Sequence, residues 1–290
     1  MMTEKQARAK QVKEPSVDAS LYDDHYYLTN NEGGLLFSRH HGRKVTPRME
    51  MMLRLAKIRK GDYVLDVGCG RGEMVFQSII RGAGFAVGID YAASAIKMCQ
   101  KAKKTYSPAF QKRVAFYKVS SNTFKTDLRF DKIFFLDVYE HLYPHEVEKT
   151  LGNMKQWLKP DGILVIHTAP NLTFYRTGYK VLRYLYPFLW HIPPIRRLVQ
   201  TKPNWQGKQL PKNPEEGQEY NLKVHVNEQT PEAMKWTLER MGFNTYIKPV
   251  PFLRMVKSPL LRMLYAIMSL PPWNKYVCAE LIAYCRLKKV

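Results

Sequence analysis

The chain has 290 residues, of which 45% are hydrophobic, and its formal charge is +21 at pH 7. This length is sufficient for one large α/β domain with a sizeable core. The N-terminus is polar and has no apolar segment typical of a secretory signal, and no uncharged apolar run reaches the about 18 residues of a membrane-spanning helix. The positive charge favours anionic partners, such as nucleic acid, acidic glycans or a membrane surface.

The cysteines give information about the compartment. None of them forms a C-x-x-C motif, so the sequence indicates neither a zinc site nor a disulfide framework; they are Cys69, Cys99, Cys278 and Cys285. A reducing, cytoplasmic compartment fits this pattern best.

The first 44 residues are predicted to form an N-terminal arm ahead of the domain, which spans residues 45–290. Up to about residue 20 the arm has the composition of a disordered segment. From Tyr22 to His41 it is rich in aromatic residues. This part is expected either to pack over the domain or to form a lid across a ligand.

A glycine loop follows the first predicted strand. Thr46 and Pro47 predict a helix start, with the helix ending near Gly61. A buried strand begins at Tyr63 and leads into a loop with glycine at every other position, namely Gly68, Gly70 and Gly72. Glycine tolerates positive φ and leaves room for a flat ligand against the backbone.

The acidic residues around this loop indicate the charge of its ligand. The spacing G-x-G-x-G differs from the G-x-G-x-x-G dinucleotide fingerprint, and Asp66 would repel a pyrophosphate. Asp90 follows a second apolar run, where it can accept hydrogen bonds from two ribose hydroxyls. A nucleoside that carries positive charge is therefore predicted.

The segments 64–73 and 88–91 resemble the first two motifs of class I S-adenosylmethionine-dependent methyltransferases. The likeness extends over about residues 45–168 and again over 225–250. It implies a Rossmann-like, seven-stranded, mostly parallel sheet with its last strand antiparallel and helices on both faces. It also implies S-adenosylmethionine as the cofactor, bound by Asp66, Gly68, Cys69, Gly70, Gly72, Asp90, Tyr91, Ser120, Ser121, Asn122, Asp137 and Val138. Relatives usually carry Asp at the position of Ser120, so adenine recognition is expected to pass to Ser121 or Asn122.

The remaining elements follow from apolar runs and turn signals. Helices are predicted over about 73–80, 92–104 and 145–158, and another begins at Pro231. Strands are predicted over 113–119, 131–136, 163–167 and 277–287, with one more starting at Phe243, and the segment 159–162 reads as a turn.

Two histidines are candidate bases for the deprotonation of an alcohol, His141 after the fourth strand and His225 further along the chain. Together with Asp137 and Glu140 they resemble a metal-binding pattern of small-RNA 2′-O-methyltransferases and quinone-pathway O-methyltransferases. Three interpretations are open: a base without metal, a site for a divalent metal, or a structural role for these side chains.

The segment 172–222 is predicted to be a helical insertion before the sixth strand that mixes aromatic, aliphatic and basic residues. No Asp or Glu occurs between Asp161 and Glu215. Such a surface suits a membrane interface or single-stranded nucleic acid, or it packs on its own core. The segment 260–273 repeats the pattern, and we favour a cap that admits an amphiphilic acceptor at the inner face of the membrane.

These observations predict methyl transfer to a hydroxyl of a small-molecule, glycan or lipid-linked acceptor. Residues 167–171 and 225–230 are similar to methyltransferases of bacterial surface-glycan and glycolipid pathways. The alternatives are an RNA 2′-O-methyltransferase and a catalytically silent fold that serves as a scaffold. Methylation of exocyclic base amines is disfavoured, because Asp137 to Glu140 replace the motif that those enzymes carry.

Overall fold

A computed structural model of the chain describes residues 16–193, 209–212, 219–250, 263, 266–267 and 270–289. The strands are β1 (Tyr63–Val67), β2 (Phe85–Asp90), β3 (Val114–Lys118), β4 (Phe130–Leu136), β5 (Leu158–Thr168), β6 (Phe243–Val250) and β7 (Glu280–Leu287). The helices are α1 (Gly34–His40), α2 (Pro47–Ala56), α3 (Glu73–Ile80), α4 (Ala93–Lys103), α5 (Pro108–Gln111), α6 (Pro144–Trp157), α7 (Tyr179–Leu189), α8 (Glu219–Val224), α9 (Pro231–Arg240) and α10 (Asn274–Val277). Short 3₁₀ turns cover Ala19–Leu21 and Tyr139–His141, and π-helical turns cover Tyr26–Asn30 and Phe174–Gly178.

The strands form one seven-stranded sheet in the order β3-β2-β1-β4-β5-β7-β6. The pairs among β1 to β5 are parallel, and β7 runs antiparallel to both of its neighbours, β5 and β6. The predicted Rossmann-like sheet with an antiparallel last strand is therefore confirmed. That strand lies between β5 and β6, so β6 forms the edge of the sheet.

Both faces of the sheet are buried. Consecutive strand residues point to opposite sides, so each strand contributes side chains to two cores. Val64 and Val165 belong to the core on one face, while Leu65 and Leu164 belong to the core on the other. Near-continuous apolar strands are typical of a parallel sheet that helices cover on both faces.

Two element ends differ from the prediction. Helix α2 begins after the Thr46 cap, whose hydroxyl accepts from the N–H of Met49, but it ends at Ala56 instead of Gly61. It ends there because Lys57 adopts a left-handed conformation with a φ of 50°. Strand β7 begins at Glu280 and not at residue 277, because residues 274–277 form the helical turn α10.

The predicted turn before the fifth strand is an irregularity inside β5. Strand β5 starts at Leu158, which pairs with Phe130, and the next partners are Ile163 and Lys132. The segment 159–162 therefore bulges out of the ladder without ending the strand.

The predicted insertion is described only in part. Helices α7 and α8 belong to it, whereas residues 194–208 and 213–218 lie outside the described residues, as does most of the segment 260–273. The division into arm, domain and insertion stays a prediction. Within the described ranges, we find no helix that combines the length and apolarity needed to cross a membrane.

Candidate functional site

The glycine loop leaves β1 in conformations that other residues rarely adopt. Gly68, Gly70 and Gly72 have φ angles of 73°, 49° and 85°. The N–H of Gly68 donates to the carbonyl of Ile89 over 2.8 Å, which ties the loop to the end of β2. A Cβ on Gly68 would lie 2.3 Å from Cγ2 of Val138, so glycine is required here for both conformation and space.

A cavity of about 650 Å³ opens at the carboxyl edge of the sheet, beside this loop. This volume is in the range of pockets that hold cofactors. Its lining includes most of the cofactor residues predicted from the sequence, namely Asp66, Gly68, Cys69, Gly70, Asp90, Tyr91, Ser120, Ser121, Asp137 and Val138. Gly72 and Asn122 are not part of the lining. Gly72 precedes α3, and the side-chain oxygen of Asn122 accepts a hydrogen bond from the hydroxyl of Thr150.

Backbone N–H groups orient Asp90 at the end of β2. One carboxylate oxygen accepts from the N–H of Gly70 and the other from the N–H of Ala92, each over 2.9 Å. Burial raises the pKa of Asp90 to about 6, although these N–H groups lower it. The group is therefore mostly ionised at neutral pH and can accept further hydrogen bonds from a ligand in the cavity.

Asp66 lies buried in the lining at the end of β1. Burial raises the pKa of its carboxyl well above the ordinary value, and the nearby carboxylates of Glu73 and Asp90 add to this. A cation bound in the cavity would favour the ionised form of this carboxyl and lower its pKa again. The site therefore favours a positively charged ligand.

Arg48 and His167 contact Asp137 at the base of the cavity, and the sequence analysis did not identify either as a site residue. The two terminal nitrogens of Arg48 lie 2.9 and 2.8 Å from the two carboxylate oxygens of Asp137. Nδ1 of His167 lies 2.5 Å from Asp137, and its Nε2 lies 3.2 Å from Glu280. Two sequence signals could have indicated them: Arg48 is a basic residue in an amphipathic helix, and His167 is a histidine near the end of a buried strand.

These contacts determine the protonation states of Asp137 and His167. Burial alone would raise the pKa of Asp137, but Arg48 and His167 hold it well below its usual range. Burial alone would lower the pKa of His167, but the Asp137 carboxylate in particular raises it to about 9. Asp137 is thus held as a carboxylate in contact with two cations.

Glu140, His141 and His225 come together, with donor atoms that all lie within 4.8 Å of one another. Asp137, the fourth residue of the predicted metal set, is not in this group. Glu140 is already engaged, since one of its carboxylate oxygens accepts from the hydroxyl of Thr168 over 2.7 Å. His141 lines the cavity, whereas His225 does not.

The orientation of His141 follows from its neighbours. Its Nδ1 lies 3.2 Å from the carbonyl oxygen of Val224. A carbonyl can only accept, so Nδ1 carries the proton and Nε2 keeps a lone pair. Burial and the adjacent His225 lower the pKa of His141 to about 3, so the ring is neutral at physiological pH.

The N-terminal segment lies over the glycine loop and supplies part of the cavity wall. Tyr22, Tyr26 and Tyr27 all line the cavity. The ring of Tyr26 stacks on Tyr220 with centroids 4.8 Å apart, and Tyr22 packs edge-on against His141. The segment therefore both packs on the domain and covers the cavity.

Comparison with known proteins identifies the family to which this chain belongs. The profile of the methyltransferase domain family matches residues 39–246. The chain is similar to (S)-coclaurine N-methyltransferase of Papaver somniferum, with 25% identity over 130 residues, which are 41% of this chain and 32% of that protein. It is also similar to cyclopropane-fatty-acyl-phospholipid synthase of Escherichia coli K12, with 23% identity over 155 residues, 53% of this chain and 38% of that enzyme. The chain thus spans about a third of the length of the curated relatives that it matches.

Solved structures of methyltransferases have the same fold as this chain. The glycopeptide N-methyltransferase MtfA in complex with S-adenosyl-L-methionine superposes with a TM-score of 0.53 at 11% identity. The match covers 83% of this chain and 87% of MtfA.

Proposed function

Since the chain belongs to the family of S-adenosylmethionine-dependent methyltransferases, we propose that it transfers the methyl group to a hydroxyl oxygen of an acceptor beside His141. The observation that carries this proposal is the fixed, neutral tautomer of His141, whose Nε2 lone pair remains available for a proton. Alcohols, unlike neutral amines, need such an acceptor for their proton when they are methylated.

The cavity offers the cofactor complementary groups. Asp90 is oriented to accept hydrogen bonds from the ribose hydroxyls, and the glycine loop leaves space for the nucleoside against its backbone. Asp66 would face the positive charge of the bound molecule. S-adenosylmethionine itself supplies an electrophilic methyl carbon, so the protein has to align the acceptor and exclude water.

Methyl transfer to a hydroxyl releases a proton, and His141 is proposed to accept it. The acceptor oxygen attacks the methyl carbon, the carbon–sulfur bond breaks, and S-adenosylhomocysteine leaves as a neutral thioether. The hydroxyl proton becomes far more acidic as the new carbon–oxygen bond forms, so it can pass even to a weakly basic imidazole. Nε2 of His141 accepts this proton and also orients the hydroxyl before transfer.

The acceptor is proposed to be lipid-linked or a glycan on a lipid. The tyrosines over the cavity provide apolar surface, and one similar protein is named for a fatty-acyl-phospholipid product. This choice also fits the basic, aromatic composition of the predicted insertion.

Replacement of His141 tests the proposal. His141→Ala should lower the turnover of labelled S-adenosylmethionine with a host lipid extract by about 100-fold or more, while cofactor affinity stays close to that of the wild type. His145→Ala is the matched control, because His145 lies four residues away and does not line the cavity. Unchanged turnover in His141→Ala, with the cofactor still bound, would remove the proposed role.

A divalent metal at Glu140, His141 and His225 is a second candidate, which the closeness of their donor atoms supports. These oxygen and nitrogen donors suit Mn²⁺ or Zn²⁺, which would act as a Lewis acid on the acceptor hydroxyl. Under this alternative a chelator should abolish turnover and Mn²⁺ should restore it. The metal-free proposal expects full activity in the presence of the chelator.

A further inference from the structure

Helix α7 presents an apolar face to solvent. Its residues recur at the spacing of one helical stripe and continue into the following turn; this docking face consists of Val181, Tyr184, Leu185, Phe188 and Ile192. Tyr184 and Phe188 are 77% and 70% exposed. Large aromatic side chains with this exposure, side by side on one stripe, indicate an interaction site.

The opposite face of α7 is fixed against the protein. Tyr179 and Tyr186 are buried in a small core with Phe174 and Ala279. The hydroxyl of Tyr179 also donates to the carbonyl of Pro211 over 2.8 Å. The helix is therefore held in one orientation, with its apolar stripe pointing outward.

A second exposed apolar group precedes α10, the helix that packs on the turn before α7. Leu270 and Trp273 are 58% and 63% exposed, and they precede α10. The turn before α7 packs directly on α10, since a Cβ at Gly178 would lie 1.6 Å from the carbonyl oxygen of Tyr276. Helix α7 follows the end of β5 and α10 precedes the start of β7, so both exposed apolar groups belong to segments that connect at the edge of the sheet that carries the cavity.

The charges around these groups are mainly basic, and the acidic Glu232 near α10 is paired with Lys275 over 3.0 Å. The sequence has no Asp or Glu from residue 162 to 214, while Arg176, Lys180 and Arg183 lie in or beside α7. Beyond Arg240 the only acidic residue is Glu280, which is buried and faces His167. An apolar, aromatic surface among basic side chains fits the headgroup region of an anionic bilayer.

We propose that the docking face, together with Leu270 and Trp273, lies on an anionic lipid bilayer, with the aromatic and aliphatic side chains inserted among the headgroups. Its basic neighbours contact lipid phosphates. Nucleic acid would use the basic and aromatic groups but has no use for the aliphatic ones. This inference goes beyond the proposed function and does not depend on it, because it concerns binding and not catalysis.

Vesicle co-sedimentation tests the inference. The full chain should sediment with vesicles of phosphatidylcholine and phosphatidylglycerol, weakly with phosphatidylcholine alone, and less as salt rises. The double variant Tyr184→Ser with Phe188→Ser should partition about tenfold more weakly into the anionic vesicles. The control pair Tyr117→Ser with Tyr246→Ser, which removes exposed aromatics from the two edge strands, should bind as the wild type does.

Three results would overturn the inference. The chain could fail to sediment with anionic vesicles at low salt. The double variant, with unchanged circular dichroism, could sediment as well as the wild type. The double variant could instead dissociate a dimer or abolish binding to single-stranded RNA without any effect on vesicles, which would assign the face to a second copy or to RNA.

Discussion

Buried charges at the base of the cavity hold Asp137 in place. Asp137 has a φ of 55° and contacts Arg48 on one side and His167 on the other. Arg48 also pairs with Glu32 over 2.9 Å, and His167 with Glu280. Because removal of one member leaves another charge buried without its partner, the network is expected to be sensitive to substitution and to pH.

The pKa of His167 predicts a pH dependence of stability. Its folded value of about 9 lies above the 6.5 of an unfolded chain, so its stabilising effect is full below about pH 6.5 and is lost as the pH rises through 9. Between these limits the free energy of unfolding should fall by on the order of 3 kcal/mol. Urea unfolding of His167→Gln should show little of this fall, and equal pH slopes in the two proteins would contradict the assignment.

Residue roles were predictable from the sequence where they depend on neighbours in the chain. Asp66, Asp90 and the loop glycines could be identified because their positions follow from the strand that precedes them. The partners of Asp137 could not, since Arg48 and His167 lie far away in the sequence and meet it only in the fold. Of the four residues in the predicted metal set, Glu140, His141 and His225 come together, whereas Asp137 pairs with Arg48 and His167 instead.

One arginine of the glycine loop forms hydrogen bonds to the N-terminal segment. Arg71, between two loop glycines, is 2% exposed and pairs with Glu73 over 2.7 Å. Its terminal nitrogens donate to the carbonyls of Tyr27 and Glu32. The loop and the segment that covers it are therefore expected to be ordered together.

Replacement of Arg71 should release this segment. Arg71→Leu leaves Glu73 buried without its cation, which should lower the free energy of unfolding by about 3 kcal/mol or more. Limited proteolysis should then cut residues 16–40 faster than in the wild type. Arg54→Leu is the control, because Arg54 is exposed and its ion pair with Glu50 contributes little. Equal cleavage rates in Arg71→Leu and the wild type would show that other contacts hold the segment.

Helix and strand positions were predictable where local signals mark them. The Thr-Pro pairs at 46–47 and 230–231 cap α2 and α9 as expected. The turn signal at 159–162 failed because pairing with β4 holds both ends of that segment in the sheet. Helix α10 was missed because it packs on the turn before α7, a contact between distant parts of the chain.

The topology of the whole molecule explains the position of the cavity. The chain order along the sheet reverses between β1 and β4, so the loops after these strands diverge and leave a crevice. The loops after β1, β2, β3 and β4 all contribute to the lining. The alternation of strands and helices in the sequence was sufficient to predict this architecture, whereas the exact wall of the crevice depends on the arm that folds over it.

Calorimetric titration with S-adenosylmethionine tests the central claim most directly. The wild type should bind it saturably at a single site and should not bind NAD. Gly68→Ala, whose Cβ would clash with Val138, should bind at least about tenfold more weakly. Gly61→Ala imposes similar strain at a φ of 85°, but its Cβ would meet nothing within 4 Å, so it should bind as the wild type does. Absence of saturable heat with S-adenosylmethionine, or binding of NAD in its place, would contradict the account.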